Sequence, residues 1–380
     1  MVNPNAALPA TSEDQSSSEG NSKTRESTSI RASDFGHRTS VLSIDVGSGT
    51  QDILLYQAGR NIENCPRMVV PSRTQIVAAA IRQATTLRRD IYLHGYLMGG
   101  GACTVALKQH LAAGLQAYAT KEAALTFNDN LAVVQQMGIK LCEGTLCEEA
   151  SGSVPVWLGD IDQVSLQQAL AAFGLDMPEQ FAVAVQDHGF AGTESNRTLR
   201  FRLWNDFVIG GGELKKLVFS QEIPAVYTRM QAVRRLLPTA VVTDTGTAAL
   251  LGIMADPKVE PYLAEGIMAI NIGNSHTLAA AIKDQRVYGI FEQHTGVLDV
   301  ESLQGLVERF RTGQLTNAEV YDKGGHGAAL HPDMSPGWSF VAVTGPRRAM
   351  AKPLGWYEAS PFGDMMLTGC FGLLRGLNLL

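Results

Sequence analysis

Two copies of one strand–turn–strand pattern, far apart in the chain, restrict what this sequence can fold into. The first copy is IDVGSGTQD at residues 44–52, and the second is INIGNSHT at residues 270–277. Each begins as an apolar strand, turns at a glycine and continues through small polar residues to a threonine. A supersecondary unit that occurs twice in one chain predicts two similar α/β halves.

The residues after each turn extend the two halves in a comparable way. After the first turn we predict two strands, a helix over residues 74–89, a further strand and a second helix. After the second turn we predict two strands and a helix over residues 300–313. We therefore expect an α/β protein with a first lobe over residues 39–257, which contains an inserted segment, and a second lobe over residues 258–380.

The first 38 residues differ in composition from the rest. They are rich in serine, threonine and charged residues, and large apolar residues are scarce. Such a segment buries too little apolar surface to offset the entropy lost on ordering. We predict that residues 1–38 form a disordered tail.

Charge and cysteine content exclude several classes of protein. The net charge is −6 and the isoelectric point about 5.8, which argues against a nucleic-acid binder, because such proteins are usually basic. No apolar run approaches the roughly 20 residues that span a bilayer, so no membrane partner is expected. Five cysteines in 380 residues do not suggest a disulfide framework, which favours a cytoplasmic location.

The chemistry of the two turns points to phosphate. Backbone N–H groups of a glycine-rich turn converge on an anion because no Cβ blocks the approach, and hydroxyl groups add donors. Asp45, at the end of the first strand, is suited to hold Mg²⁺ through water, and Asn271 occupies the equivalent position. The predicted phosphate-binding residues are Gly47, Ser48, Gly49, Thr50, Gly273, Asn274, Ser275, His276 and Thr277.

With these turns and a third motif, the chain resembles the actin, sugar kinase and Hsp70 ATPase superfamily. The third motif is FVAVTGPRR at residues 340–348, which is similar to the adenosine motif of that superfamily and places Gly345 against the nucleoside. The resemblance implies two ribonuclease-H-like lobes, with ATP and Mg²⁺ in the cleft between them. Within the superfamily, the chain is most similar to an uncharacterised bacterial and archaeal family sometimes labelled "pyruvate formate-lyase activating enzyme-like".

The sequence departs from these resemblances at three points. Asn271 stands where the superfamily commonly has an aspartate, and an amide carries no charge to attract Mg²⁺. In the adenosine motif, Pro346 follows Gly345 and removes one N–H donor. A glycyl-radical activase needs three clustered thiolates for an iron–sulfur cluster, and this chain has no such run of cysteines. Radical chemistry is therefore not supported.

Two carboxylates follow strongly apolar strands, where α/β sheets open onto their ligands. Asp187 and His188 end the segment VAVQDH, and Asp244 ends VVTD. A carboxylate in the cleft orients the attacking hydroxyl or water in phosphoryl transfer. The structural alternatives are a turn residue for Asp187 and a helix N-cap for Asp244.

Histidines suggest a second kind of chemistry. His294 follows a predicted strand, and His326 lies in the glycine-rich segment GGHG. Neutral imidazoles bind transition metals or act as acid and base groups, so some of Asp187, His188, His294 and His326 are candidates for a metal site. Ordinary loop histidines are the alternative.

Three functions remain open from the sequence. The first is an ATP-dependent phosphotransferase or an ATPase, which acts on an unknown small-molecule acceptor or on a partner protein. The second is a catalytically silent nucleotide-binding or protein-interaction module, which Asn271 and Pro346 favour. The third is a metal-dependent hydrolase that uses aspartate and histidine residues.

Overall fold

The computed structural model describes residues 40–144, 147–192, 194–335 and 337–380; the tail predicted at residues 1–38 lies outside the described residues. The strands, in chain order, are β1 (Ser40–Val46), β2 (Thr50–Gln57), β3 (Arg67–Pro71), β4 (Ile91–Gly95), β5 (Ala117–Thr120), β6 (Ile139–Cys142), β7 (Val154–Leu158), β8 (Gln180–Val185), β9 (Val241–Thr243), β10 (Ile267–Ile272), β11 (His276–Lys283), β12 (Arg286–His294), β13 (Gly327–Leu330), β14 (Phe340–Thr344) and β15 (Tyr357–Glu358). The α-helices are α1 (Arg73–Thr86), α2 (Gly101–Ala112), α3 (Lys121–Ala124), α4 (Leu131–Gln136), α5 (Gln163–Ala171), α6 (Asn196–Ile209), α7 (Thr228–Leu236), α8 (Thr245–Ile253), α9 (Val300–Arg311), α10 (Asn317–Asp322) and α11 (Thr368–Gly376).

The first sheet has the strand order β3-β2-β1-β8-β9. β1 and β2 form an antiparallel hairpin and β3 pairs antiparallel with β2, whereas β8 and β9 continue the sheet in parallel. β1 is central and almost wholly buried, which explains why its sequence reads as a continuous apolar run.

The second sheet repeats this arrangement. Its order is β13-β12-β11-β10-β14-β15, in which β10 and β11 form the hairpin, β12 pairs antiparallel with β11, and β14 and β15 follow in parallel. The only addition is β13, antiparallel to β12 at the edge. Two sheets with this shared order constitute the predicted pair of ribonuclease-H-like units, so the predicted fold class, the actin-like ATPase fold, is confirmed.

A third sheet, β6-β5-β4-β7, is parallel throughout. Its strands lie in the chain between β3 and β8, so this sheet is an insertion into the first sheet's sequence of strands. It has its own apolar core with α1 and α2, in which Leu93, Leu107 and Ala119 are fully buried. The sequence predicted an inserted segment in the first lobe without bounds for it, and this sheet was not predicted.

Two helices pack against each other next to both repeated sheets. Leu250 and Ile253 of α8 lie in a core shared with β10 and β11, and Phe371 and Leu373 of α11 lie in a core shared with β1 and β8. Across the described ranges, the helices are too short or too polar to cross a membrane. The predicted boundary between residues 257 and 258 stays a prediction.

Candidate functional site

The two hairpin turns close with the same backbone hydrogen bond. The N–H of Gly47 donates to the carbonyl oxygen of Thr50, and the N–H of Gly273 donates to that of His276, both at 2.9 Å. A Cβ atom at either glycine would lie 3.0 Å or 2.8 Å from that same oxygen, so a side chain would crowd the turn. The repeat in the sequence is therefore a repeat in backbone structure.

The two turns also touch each other. The hydroxyl of Ser275 donates to the hydroxyl of Ser48 at 2.9 Å, although the residues are 227 positions apart in the chain. Asn274 lies against Gly49, where a Cβ atom would stand 2.8 Å from the Asn274 amide nitrogen. The absence of a side chain at Gly49 thus permits the close approach of the second turn to the first.

A cavity of about 390 Å³ lies beside the touching turns, within the usual size range of ligand pockets. The predicted site residues that line it are Asp45, Gly47, Ser48, Thr50, Asp187, His188, Asn271, Gly273, Asn274, Ser275, His276 and Gly345. The predicted residues that do not line it are Gly49, Asp244, Thr277, His294 and His326. The Thr277 side chain is buried instead, with its hydroxyl 3.0 Å from that of Thr295.

Two carboxylates face each other across the first hairpin. Asp45 and Asp52 are direct cross-strand partners in the register of β1 and β2. Burial raises the pKa of Asp45 to about 7, against a hydrogen bond of 2.6 Å from the Thr245 hydroxyl. Burial and the Asp45 charge raise the pKa of Asp52 to about 8, and its Oδ1 atom has no hydrogen-bond partner. At this pair of carboxylates, a bound cation would be favourable.

The charged lining of the cavity is predominantly acidic. Among the described residues it consists of six carboxylates and two guanidinium groups: Asp45, Asp52, Asp129, Asp160, Asp187, Glu292, Arg200 and Arg229. Both arginines are already paired with carboxylates. A cation bound in this cavity would offset its negative charge.

Asp187 and Asp244 adopt the structural roles that the sequence left as alternatives. Asp244 caps α8 by accepting from the N–H of Gly246 at 2.9 Å. Asp187 accepts from the N–H of Gly189 at 2.9 Å and of Met230 at 3.0 Å. Burial raises the pKa of Asp187. Asp187 lines the cavity and Asp244 lies behind it, so the two carboxylates are not equivalent.

Arg200, on α6, is a site residue that sequence reasoning missed. Only 4% exposed, it donates to both oxygens of Asp244, at 3.1 and 3.2 Å, and to both oxygens of Glu292. It also donates to the backbone carbonyl of Asp187 at 3.0 Å. Burial opposes ionisation of Glu292, but the charge of Arg200 holds the pKa of Glu292 well below its usual range. The signal in the sequence was a single arginine between Leu199 and Phe201.

A second buried ion pair links the third sheet to the cavity. Arg229 of α7 donates to both oxygens of Asp160, at 2.7 and 2.8 Å, and to the carbonyl of Gln186 at 2.7 Å. Asp160, just beyond β7, also accepts from the N–H of Gly99 at 3.3 Å. This pair holds the insertion in contact with the loop that carries Asp187.

Four histidines come together from four segments of the chain. The ring centroids of His276 lie 4.8 Å from those of both His294 and His326, and His188 lies 5.0 Å from His326. Burial lowers the pKa of His276 to about 4 and that of His326 to about 3. The imidazoles of His276 and His326 are therefore neutral near pH 7. The predicted metal candidates His188, His294 and His326 are neighbours, and His276 joins them.

The predicted adenosine motif follows β14 beside the end of β10. Gly345 has a φ of 100° and its Cα lies against the carbonyl of Ile272, so a side chain would fit neither the backbone angle nor the space. The N–H of Arg347 donates to that same carbonyl at 3.0 Å. Arg348 pairs with Glu358 at 3.0 Å. The turn is thus held by its own backbone.

The cysteines are separated into a bonded pair and three buried thiols. Cys142 and Cys147 form a disulfide, which was not predicted. Cys65, Cys103 and Cys370 are free and buried. Burial raises the pKa of Cys103 to about 11 and that of Cys370 well above its usual value. In the described part of the chain, no three cysteines are grouped so that they would hold a metal.

The sequence and the fold were compared with known proteins. A family model described as "Putative pyruvate format-lyase activating enzyme (DUF1786)" matches residues 98–350. No curated protein matches the sequence.

Among solved structures, the Lmo2764 protein from Listeria monocytogenes is similar at 7% identity and a TM-score of 0.35, over 90% of this chain and 99% of that one. A protein of unknown function with an actin-like ATPase fold from Bacteroides thetaiotaomicron is similar at 9% identity and a TM-score of 0.31, over 84% and 89%. A ROK hexokinase from Thermus thermophilus is similar at 12% identity and a TM-score of 0.27, over 90% and 98%.

Proposed function

The chain belongs to the DUF1786 family, and we propose that it binds ATP with Mg²⁺ at its two hairpin turns and transfers or hydrolyses the terminal phosphoryl group. The observation that carries this proposal is the contact between the turns. Two matching glycine turns meet at Ser48 and Ser275 on the wall of one cavity. Turns of this kind present backbone N–H groups and hydroxyls to anions, and two of them are suited to hold one polyphosphate.

The carboxylates at the first hairpin fit a magnesium ion. Asp45 and Asp52 are oxygen ligands of the type that Mg²⁺ prefers, and the Oδ1 atom of Asp52 is buried without a hydrogen-bond partner. Bound there, Mg²⁺ would neutralise charge on the phosphates, which the acidic lining cannot do alone. Thr245 orients Asp45 through its hydroxyl, and Gly369 leaves the space that the Asp45 carboxylate occupies.

The description of the family implies an iron–sulfur cluster, and the residues present do not fit one. Such a cluster needs at least three thiolates on one site. Cys142 and Cys147 are bonded to each other. The three remaining cysteines are free and buried, and no three cysteines of the described residues are grouped to hold a metal. We therefore derive no radical step from this chain.

Different roles follow for the two predicted catalytic carboxylates. Asp187 lines the cavity, so it is our candidate to orient an attacking hydroxyl or water. Asp244 does not reach the cavity, and we assign it a positioning role through Arg200 and the N–H of Asp187. His188 lies next to Asp187 on the same wall.

The acceptor would meet the wall that the insertion supplies. Thr126, Asp129 and Asp160 belong to the inserted segment or lie just after it, and all three line the cavity. Hydroxyl and carboxylate groups on that wall favour a small polar acceptor for a kinase. For an ATPase, the same space would hold the water.

The catalytically silent module remains the alternative. It is favoured by Asn271, which lines the cavity where a charged metal ligand is commonly found, and by Pro346 beside Gly345. The two readings differ in turnover and agree on nucleotide binding, so one set of measurements separates them.

Calorimetry and thermal unfolding with ATP, ADP and Mg²⁺ test the proposal. We expect Mg·ATP to stabilise the protein, by about 2.7 kcal/mol at one hundred times Kd. Asp45→Asn should weaken Mg²⁺-dependent binding at least tenfold while keeping the shape of the side chain. The matched control is Asp206→Asn on the exposed face of α6, which should bind as the parent does.

Phosphate release completes the test. Turnover that is lost in Asp187→Asn supports the enzyme, and tight binding without turnover supports the silent module. If the parent protein shows no heat and no stabilisation with any purine nucleotide at millimolar concentration, the proposal is wrong.

A further inference from the structure

The geometry points to a second metal site beyond the proposed function: His188, His276 and His326 hold a divalent transition metal of the zinc class, with an open position towards the cavity. Their candidate ligand atoms all lie within 4.8 Å of one another. The metal is chemically distinct from Mg²⁺, because imidazole nitrogen suits zinc, cobalt and nickel whereas Mg²⁺ prefers oxygen.

The three ligands come from separate parts of the fold. His188 follows β8 of the first sheet, His276 begins β11 of the second sheet, and His326 immediately precedes β13. Strand pairing brings His276 and His326 together, since β11 pairs with β12 and β12 pairs with β13. The N–H of His326 is fixed by the carbonyl of Glu292 at 2.9 Å. The site is therefore built by the tertiary fold and cannot form from a local sequence motif.

Without a metal, the candidate ligand atoms of the three histidines lie farther apart than in a zinc site, so metal binding requires a small movement of the rings. Nitrogens that share a tetrahedral zinc at about 2.0–2.1 Å are roughly 3.3 Å apart. The ligand atoms here are up to 4.8 Å apart, so the rings would move inwards by about 1 Å. The ring centroids of His276 and His326 are 4.8 Å apart, and those of His188 and His326 are 5.0 Å apart. Rotation of the side chains can therefore produce the required movement.

His326 supplies an independent indication of a ligand. It is 3% exposed, and its Nδ1 atom is buried without a hydrogen-bond partner. A buried ring nitrogen without a partner is unfavourable, because it has lost its hydrogen bond to water and gained none in return. Coordination of a metal, directly or after rotation of the ring, would provide the missing partner.

The charge around the histidines favours a cation. Arg200 carries one positive charge next to this group, and its partners Asp244 and Glu292 carry two negative charges. Glu292 belongs to β12, which lies between β11, where His276 is the first residue, and β13, which follows His326. The neighbourhood of the three imidazoles thus has a net negative charge, which a divalent metal would compensate.

Gln186 would have to turn when the metal binds through Nε2 of His276. Its amide nitrogen now lies 3.1 Å from Nδ1 of His276 and donates to Glu292 at 3.0 Å. A metal on Nε2 leaves the hydrogen on Nδ1, which then needs an acceptor. The amide oxygen of Gln186 provides one after rotation of the amide group.

Only two of the three ligands line the cavity: His188 and His276. His326 lies behind them. Three protein ligands leave the fourth position of a tetrahedral metal open, as in catalytic zinc sites, and this position would face the cavity. Water or an oxygen atom of the bound substrate would occupy it.

Zinc titration of the nucleotide-free protein tests the site. The full chain, freed of any affinity tag and treated with a chelator, is titrated with Zn²⁺ by calorimetry and with Co²⁺ by absorption spectroscopy. We expect one metal per chain and a visible Co²⁺ spectrum of four- or five-coordinate geometry. His188→Ala and His276→Ala should each weaken Zn²⁺ binding about 100-fold.

The matched control is His331→Ala. His331 follows β13 and accepts from the N–H of Asp333, outside the group of three. This variant should bind Zn²⁺ as the parent does. Because His326 is buried, His326→Ala is included only when its unfolding curve matches that of the parent. The variants His188→Ala and His276→Ala, whose side chains line the cavity, test the metal site without it. A parent that binds no Zn²⁺, or cavity variants that bind within twofold of the parent, would overturn the inference. ATP binding is measured separately and does not affect this result.

Discussion

Asp45 and Asp52 are buried carboxylates whose protonation links the stability of the fold to pH. In the folded chain their pKa values are raised to about 7 and about 8, whereas the ordinary aspartate value is 3.8. Between these limits the unfolded chain binds fewer protons than the folded chain. The free energy of unfolding therefore falls as pH rises from about 4 to about 8, and this loss is complete above the folded values.

We predict that Asp52→Asn stabilises the protein at alkaline pH. The variant removes one of two buried carboxylates, so its free energy of unfolding should exceed that of the parent by about 2 kcal/mol at pH 8. At pH 4 the gain should largely disappear, because Asp52 is then protonated in the folded chain and pH 4 lies close to its ordinary pKa of 3.8 in the unfolded one. Urea unfolding at several pH values measures the difference.

The control for this titration is again Asp206→Asn, whose side chain is exposed. Its free energy of unfolding should follow that of the parent at every pH. A constant difference between Asp52→Asn and the parent from pH 4 to 8 would contradict the assigned pKa shift.

Sequence reasoning found the residues of the turns but not those that support them. Gly47, Ser48, Gly273 and Ser275 were predicted because a short glycine turn after a strand is a local signal. Arg200 was missed because a single charged residue in a helix does not reveal that its partners lie on two distant strands. Burial and pairing of this kind are set by tertiary contacts.

At the scale of elements, the contact of α8 with α11 depends on two glycines. A Cβ atom at Gly252 would collide with the carbonyl of Thr368, and one at Gly372 would collide with the carbonyl of Ala248. The helices approach so closely that backbone meets backbone. Gly369, at the start of α11, likewise makes room for the Asp45 carboxylate.

We predict that Gly252→Ala is strongly destabilising. The added methyl group has no space and forces the helices apart, which should lower the free energy of unfolding by about 3 kcal/mol. Gly305→Ala in α9 is the matched control, since a Cβ atom there meets nothing within 4 Å. That change should stabilise the protein by about 0.5–1 kcal/mol, through helix propensity. Chemical denaturation of both variants measures the contrast, and equal effects would refute the packing argument.

The two hairpins and the helices predicted over residues 74–89 and 300–313 are present, because hydrophobic periodicity and glycine turns act over a few residues. The third sheet was not predicted. Its order β6-β5-β4-β7 depends on which parallel strands pair after the helices between them, and local sequence does not reveal this. α6 was also missed. Its buried face includes Leu199, Arg200 and Trp204, so the charge interrupts an otherwise apolar pattern.

At the scale of the whole molecule, Arg200 joins the two repeated sheets. It is bonded to Asp244 at the end of β9 in the first sheet and to Glu292 in β12 of the second. The duplicated fold itself was predictable from the repeated motif, whereas this link was not. Its partners are brought together only when both sheets are formed.

We predict that Arg200→Met lowers the free energy of unfolding by about 3–5 kcal/mol, because two buried carboxylates lose their counter-charge. Arg202→Met on the same helix is the control. Arg202 pairs with Glu194 at the surface, and such pairs contribute at most about 1 kcal/mol. Urea unfolding of both variants tests the claim. Equal losses would mean that Arg200 is no more than an ordinary helix residue.

The third sheet, set into the chain between β3 and β8, has a consequence for how this architecture diversifies. The part of the cavity wall that comes from this insertion includes Thr126 and Asp129. The two turns that meet at Ser48 and Ser275 belong to the repeated sheets instead. Mutation can therefore reshape the contributed wall and leave the turns intact. Substitution of Thr126 or Asp129 is thus a route to a new preference for the bound molecule while the geometry of the turns is kept.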